Sequence, residues 1–389
     1  MKTYECIVIG GGITGTALAY QLVKSGFSTL LLEKYVKPQN ATHYSYGGLA
    51  YWLATTPLTR QLCQEAIALY QVLPLELDAD IQLREIDLLL TIAADDDPKA
   101  VAAAYADIAT VPQLLDVQAA CELEPLLNKN AIAGALTVKH GHINPEKTAE
   151  AYIQAMQRLG GKIEVAQVLE LSALNNSTLT GVKTENTTFL SENIIICAGG
   201  LSRQLLKSAG INLKIYFTHA EAIETPPVDI RLNTLVTAAN LHRFKLEAES
   251  TQNDQLWDQP NHELVPPILD AGAIQFLDGS LRLGQISRVL TDPYAQVNAE
   301  ESEKWLRESV SKILPILGNL PGKWYHCLVA FSADRLPLIG SIPGYQGIHI
   351  FSGFNSPLVL VPPLAARFAN FLSGQEDAII SQLSPHRGN

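Results

Sequence analysis

Residues 4 to 33 constrain what the rest of this chain can fold into. Tyr4-Glu5-Cys6-Ile7-Val8-Ile9 is a short apolar, β-branched run that passes straight into Gly10-Gly11-Gly12-Ile13-Thr14-Gly15. Apolar residues then recur at Ala17, Leu18, Leu22 and Val23, the spacing of one helix face. Gly26 stands where a helix commonly ends on a left-handed residue. Thr29-Leu30-Leu31-Leu32 follows as a second strand, with Glu33 at its tip. Strand, G-x-G-x-x-G turn, helix and acid-tipped strand are the parts of a dinucleotide site. Gly10 makes the tight turn, Gly12 lets the backbone approach a pyrophosphate, and Gly15 lets helix and strand pack closely. The helix start offers free N–H groups and the positive end of its dipole to phosphates. Glu33 can accept hydrogen bonds from a ribose hydroxyl, and its charge argues against a 2′-phosphate.

At 389 residues the chain predicts two domains rather than one sheet-and-helix unit. Its net charge of −11 argues against nucleic acid or an anionic membrane surface as partner. The apolar stretch Leu358 to Phe371 is cut by Pro362 and Pro363 and carries Arg367, so no membrane-spanning helix is expected. Glu5 and the glycines interrupt the N-terminal apolar run, which speaks against a signal peptide. Five scattered cysteines (Cys6, Cys63, Cys121, Cys197, Cys327) form no disulfide framework and no metal-ligand spacing, so no metal is expected. Cys6 and Cys197 read as small buried hydrophobes. The chain reads as a cytoplasmic, acidic enzyme.

Further along, a polar loop from Lys37 to Ser45 precedes Tyr46-Gly47-Gly48-Leu49. Adjacent glycines there suit a backbone that approaches something flat, although an ordinary surface loop is the plainer reading of that stretch alone. Pro57 to Asp78 reads as a helix, Asp87 to Ala93 as a strand, and Asp95-Asp96-Asp97-Pro98 as a helix start, with helical patterns continuing to Leu127. Asn144 is a good N-cap with Pro145 at the first helical position. Asn193 to Gly200 is a second apolar strand ending in glycines. Residues 213 to 318 alternate strand patterns with polar loops, include Arg282 on a strand, and end in an amphipathic helix from Glu301 to Leu317. The strand Ile348-His349-Ile350-Phe351 and the turn from Ser352 to Pro357 then open the last helix.

Taken in order, these motifs resemble the flavoprotein amine oxidoreductases that include D-amino-acid oxidase, glycine oxidase and sarcosine oxidase. The resemblance rests on the glycine turn with Glu33-Lys34, on Tyr46 to Leu49, Ile143-Asn144-Pro145, Ile196 to Gly199, Arg282-Leu283-Gly284, Asp334 to Gly340 and Ser352-Gly353-Phe354. It implies an α/β fold: a Rossmann-like FAD-binding domain of the glutathione-reductase type, and an α+β substrate domain whose mixed or antiparallel sheet roofs the flavin. The FAD-binding domain would comprise residues 1–78, 140–212 and 320–389, and the substrate domain 79–139 and 213–319. Gly10, Gly12, Ile13, Thr14, Gly15, Glu33, Lys34, Ala198, Gly199 and Asp334 would serve the cofactor, with Val168 offering its backbone to adenine. Ser45 and Tyr46 would also bind the cofactor, and Gly47, Gly48 and Leu49 would lie beside the isoalloxazine. The turn Gly353, Phe354, Asn355, Ser356, Pro357 and Leu358 would point a helix N-terminus at the flavin's carbonyl edge.

The implied reaction is oxidation of the C–N bond of an amine or small amino acid, with a hydride passing to FAD and the electrons going on to oxygen or a carrier. An FAD-dependent dehydrogenase of another substrate, such as a 2-hydroxy acid, and a non-catalytic flavin-binding protein are the alternatives. Two departures bear on the substrate. Val329 stands five residues before Asp334, where glycine and D-amino-acid oxidases carry a carboxylate-binding arginine. The final glycine turn also lacks the lysine of sarcosine oxidases. Arg282 and Arg288 are the candidate catalytic cations in the roof, with His219 and Tyr216 as further polar candidates, and Tyr51 and Trp52 could form an aromatic wall. Cys327, seven residues before Asp334, has the spacing of the flavin-linked cysteine of sarcosine oxidases; a buried strand cysteine is the other reading.

Overall fold

Alternation along one strand builds two cores at once. In the computed structural model, which describes residues 2–173 and 180–387, β1 (Lys2–Ile9) is the centre of the first sheet. Its Cys6 and Val8 face a helical layer made by α1 (Ile13–Lys24) and the helices Pro57–Leu77, Pro145–Arg158 and Pro357–Leu372. Its Ile7 and Ile9 face the opposite core, with Val182, Phe189 and Leu206. Each fully buried Ile or Val contributes about 1.5–3 kcal/mol of apolar transfer. A register slip of one residue would exchange the two faces.

The order in the first sheet is Leu338–Ser341, Ile348–Ser352, Thr188–Ile196, β1, β2 (Thr29–Glu33) and Lys162–Val165, with Val168–Ala173 and Thr180–Thr184 attached beside Thr188–Ile196. β1 pairs in parallel with β2 on one side and with Thr188–Ile196 on the other. The chain therefore leaves β1 toward one edge and later returns on the other side. That switch point opens a crevice at the carboxyl ends of the strands, over Gly10, Glu33 and Cys197.

The second sheet runs Lys323–Phe331, Tyr216–Glu224, Leu281–Leu290, Glu263–Gln275, Leu235–Ala238, Arg84–Ala93, Ile132–His142 and Gly48–Leu49, with Gln113–Leu115 beside Ile132–His142. It is mixed, because Leu235–Ala238 pairs in parallel with Arg84–Ala93. The helix Ala299–Ile313, capped by Asn298, covers one face with Leu306 and Val310 against Leu283 and Ile286.

Several sequence expectations need correction. Lys323–Phe331 lies in the second sheet, paired with Tyr216–Glu224, so the segment from 320 is shared between the sheets. Ile132–His142 crosses the expected boundary at 140, and Gly48–Leu49 extends the same sheet. Between Asp95 and Leu127 only the short helices Pro98–Ala103 and Val117–Leu123 form, separated by the strand Gln113–Leu115. Pro112 there favours an extended predecessor and disfavours helix. Pro362 and Pro363 lie inside one helix, Pro357–Leu372, where tertiary packing outweighs the lost backbone donors. Among the described residues, no helix is long and apolar enough to cross a membrane.

The contact of α1 with β1 sets a sharp test. A Cβ on Gly15 would sit 1.9 Å from the Gly10 carbonyl oxygen, whereas one on Gly12 would meet only the ends of Thr42 and Asn40, at 3.1 and 3.7 Å. Gly15→Ala is expected to cost at least about 2 kcal/mol, read as a lower urea midpoint. Gly12→Ala is expected to unfold at the native midpoint while holding its dinucleotide more weakly.

Candidate cofactor and substrate site

The glycine turn is held from three directions. Gly10 N–H donates to the Leu32 carbonyl at 2.9 Å, and its φ of +113° is one that L side chains rarely adopt. Glu33 accepts from Gly11 N–H through Oε2 at 2.7 Å and from Tyr35 N–H through Oε1 at 3.0 Å. The carboxylate therefore fixes the loop and keeps lone pairs for a ribose hydroxyl. Thr42 Oγ1 accepts from Ile13 N–H at 2.9 Å, and Asn40 Oδ1 accepts from the backbone N–H groups of Thr42 and His43. Gly12 caps α1 without a side-chain hydrogen bond of its own, so beyond the Ile13 N–H taken by Thr42 the helix start is left to a ligand.

Above this turn lies a cleft of about 620 Å³, within the range of small-molecule sites. Of the expected cofactor residues, Gly10, Gly12, Ile13, Thr14, Glu33, Lys34, Ser45, Val168, Ala198, Gly199, Gly353, Phe354, Pro357 and Leu358 line it. Gly15 sits below, against Gly10. Tyr46 and Gly47 lead from Ser45 to Gly48 and Leu49, which join the second sheet, and neither these four nor Asn355 and Ser356 line the cleft. Gly47 has no room for a side chain, since a Cβ would lie 2.2 Å from the Ile143 carbonyl oxygen. The helix Pro357–Leu372 starts at the cleft wall without a side-chain cap, and Tyr70 Oη donates to the Leu358 carbonyl at 2.6 Å.

Asp334 is not at this cleft. It borders a separate cavity of about 550 Å³ and is occupied by Arg387 at 2.8 Å, Ser332 Oγ at 3.0 Å and Leu336 N–H at 3.1 Å. Tyr216 borders the same cavity. The strand leading to Asp334 does reach the cleft: Cys327, Leu328 and Val329 form an apolar wall there. Burial pushes the Cys327 thiol up to about 12.

The two roof arginines face opposite ways. Six positions apart, they would share a face of a regular strand. An irregularity opposite Glu221 and Ala222 shifts the register and turns one of them over. Arg288 faces the helix Ala299–Ile313: its Nε donates to Glu221 Oε1 at 2.7 Å, and its guanidinium lies 6.0 Å from the Trp305 ring. It is not brought to the cleft. Arg282 faces the loop at His43 and, like Arg288, does not line the cleft; it is 6% exposed, with its guanidinium 5.1 Å from the Phe276 ring. Its Nη2 donates to the His43 carbonyl at 3.4 Å, and Nη1 lies 3.2 Å from Glu224 Oε1 without hydrogen-bond alignment. Nε and Nη1 are buried and make no hydrogen bond, nor does the buried Tyr46 hydroxyl. Each such unmet group costs about 1–3 kcal/mol.

His219 is buried against the Asp292 carbonyl at 3.0 Å, and burial lowers its pKa to about 4. Trp52 Nε1 donates to His140 Nδ1 at 3.0 Å, and Tyr51 packs edge-on to Tyr70, so both aromatics serve packing. The sequence reading missed His43, which meets Glu146 at 3.1 Å, and Tyr44, which stacks on Tyr325 with ring centroids 3.5 Å apart. The polar loop from Lys37 was the only signal for either.

The cradle of turn, acid and uncapped helix starts fits a dinucleotide, and residues 5–370 match the family described as FAD dependent oxidoreductase, DAO. The chain belongs to this family. Its cofactor is FAD, and it is an FAD-dependent oxidoreductase. It is similar to glycine oxidase of Geobacillus kaustophilus, 26% identical over 61% of this chain and 65% of that one. A crystal structure of that glycine oxidase matches it with a TM-score of 0.81, 20% identity and 100% of both chains covered, a likeness of fold. The uncharacterized oxidoreductase YurR of Bacillus subtilis is 22% identical over 99% of this chain and 98% of its own length. The 4-methylaminobutanoate oxidase of Paenarthrobacter nicotinovorans is 26% identical over 92% of this chain, which spans only 42% of that protein.

In this flavoenzyme a covalent link through Cys327 would need a thiolate, which burial disfavours. Acid denaturation followed by filtration is expected to carry the flavin into the filtrate. Flavin retained with the protein would establish the link.

Proposed function

We propose that this flavoenzyme oxidises the C–N bond of a small amine or amino acid, the hydride leaving carbon for the flavin and the imine hydrolysing in water. The observation that carries this reading is the apolar wall Cys327-Leu328-Val329, which shares one cleft with the helix start at Pro357 and Leu358. FAD supplies the hydride acceptor. The helix start presents its N–H end to the cleft, which favours negative charge there. The apolar wall excludes water and disfavours an ammonium group, so the amine reacts neutral. A neutral amine needs no strong base, and His326 in the same wall is held toward its uncharged form by burial. Catalysis then rests on positioning. The name of the similar 4-methylaminobutanoate oxidase supports an amine substrate.

The division of labour follows the two sheets: the first holds the dinucleotide and the second roofs the reacting end. The electrons leave to oxygen or to a carrier. The free cysteines suit a reducing compartment, and we place the enzyme in the cytoplasm.

Anaerobic mixing of the yellow protein with small amines and amino acids tests the reaction. The oxidised flavin band is expected to bleach with at least one secondary or primary amine and to persist with 2-hydroxy acids. Bleaching by hydroxy acids alone, or by nothing, would refute the reading.

A further inference from the structure

The cavity that Asp334 borders, of about 550 Å³, has the size of a small-molecule site, and no described residue lines both it and the FAD cleft. The helix Ser202–Ser208 stands between the two. Its Gln204, Leu205 and Ser208 wall the cleft, whereas Arg203 and Lys207 wall the cavity. Ile211, Leu338, Ile342 and Tyr345 give the cavity an apolar side that belongs to the second core of the first sheet.

The charged side has donors in surplus. The three carboxylates among the lining residues are all matched: Asp254 and Asp258 each take Arg203 at 2.9 Å, Asp258 also takes Lys207 at 2.7 Å, and Asp334 takes Arg387 at 2.8 Å. Lys214 is a further cation in the lining, with no partner among the described residues. Its ammonium has three N–H groups to give, and that of Lys207 keeps two after Asp258. Arg203 is a fixed part of the wall, 10% exposed, with its guanidinium 5.5 Å from the Tyr216 ring. Its Nη1 donates to the Leu213 carbonyl at 3.4 Å, which holds the segment carrying Lys214 against the helix carrying Lys207. In a chain of net charge −11, this cavity has an excess of cations. A cation entering it meets carboxylates that are already neutralised. An anion meets free ammonium donors and breaks no existing pair.

We propose that this cavity binds a small phosphate monoester, with the phosphate held by Lys207 and Lys214 and the organic part laid on the apolar side. A phosphate monoester carries close to two negative charges at pH 7, one for each lysine, and three acceptor oxygens. Lysine serves such a group as a point charge and does not need the bidentate fit of arginine. The site goes beyond amine oxidation and does not depend on it, because it takes no part in the cleft.

The test is calorimetric titration of the FAD-loaded enzyme with phenyl phosphate, and with benzoate as a singly charged probe carrying the same ring. Phenyl phosphate is expected to bind saturably, one per chain, and at least about tenfold more tightly than benzoate. Lys207→Met and Lys214→Met are each expected to weaken it about tenfold, and raising the salt concentration should weaken it in the native enzyme. Both lysines are exposed, so the variants should keep the native urea midpoint and FAD content. Absence of saturable binding, an affinity unchanged in both lysine variants, or an equal lysine-dependent affinity for benzoate would overturn the proposal. Failure of every amine to bleach the flavin would sink the reaction reading and leave this titration decisive for the cavity.

Discussion

The van der Waals contact between α1 and β1 is the constraint on which the rest depends. With hydrogen at Gly15, the helix lies against the Gly10 carbonyl closely enough that any Cβ would sit at 1.9 Å. That approach sets the helix start directly over the carboxyl end of β1, where its N–H groups and the Glu33 carboxylate face one crevice. A helix displaced by the width of a methyl group would move its N–H groups away from the Glu33 carboxylate that faces them across the crevice. Close packing at one glycine thus becomes a binding geometry.

The first sheet is buried on both faces, and its strands are nearly continuous in apolar residues, as parallel strands between two layers must be. The second sheet treats its two faces differently. One is sealed by the helix Ala299–Ile313, where Arg288, Glu221 and Trp324 share a polar network inside an apolar layer. The other carries Arg282, Phe276 and the histidines His140 and His142, whose pKa values burial lowers to about 4 and about 3. Neutral imidazoles beside the glycine loop leave Arg282 and Arg84, which donates to His142 Nδ1 at 3.3 Å, as cations of that face. A buried cation with unmet donors is costly unless a ligand or a mobile counter-ion completes it, and Glu224 is placed to act as that counter-ion.

Much of the site was legible because its parts are local. The glycine turn, the acid at the tip of β2 and the glycine-ended strand after Asn193 each follow from a few consecutive residues whose backbone demands are visible in composition. Asp334 shows the limit of position along the chain. It follows a strand that walls the cleft, yet Arg387, from the far end of the chain, holds it at another cavity. No local pattern reveals a partner 53 residues away.

By itself the sequence determined the dinucleotide unit, the buried alternation of β1 and the apolar character of position 329, because these depend on side-chain type and short-range spacing. Only the tertiary structure decided which sheet receives Lys323–Phe331 and which way the roof arginines point. Counting by twos from Arg282 to Arg288 puts both on one face. The register shift opposite Glu221 and Ala222 is a property of paired strands, and it sends one arginine to the helix and the other to the loop at His43. Periodicity describes a strand alone; the face a residue presents also depends on how its neighbour pairs with it.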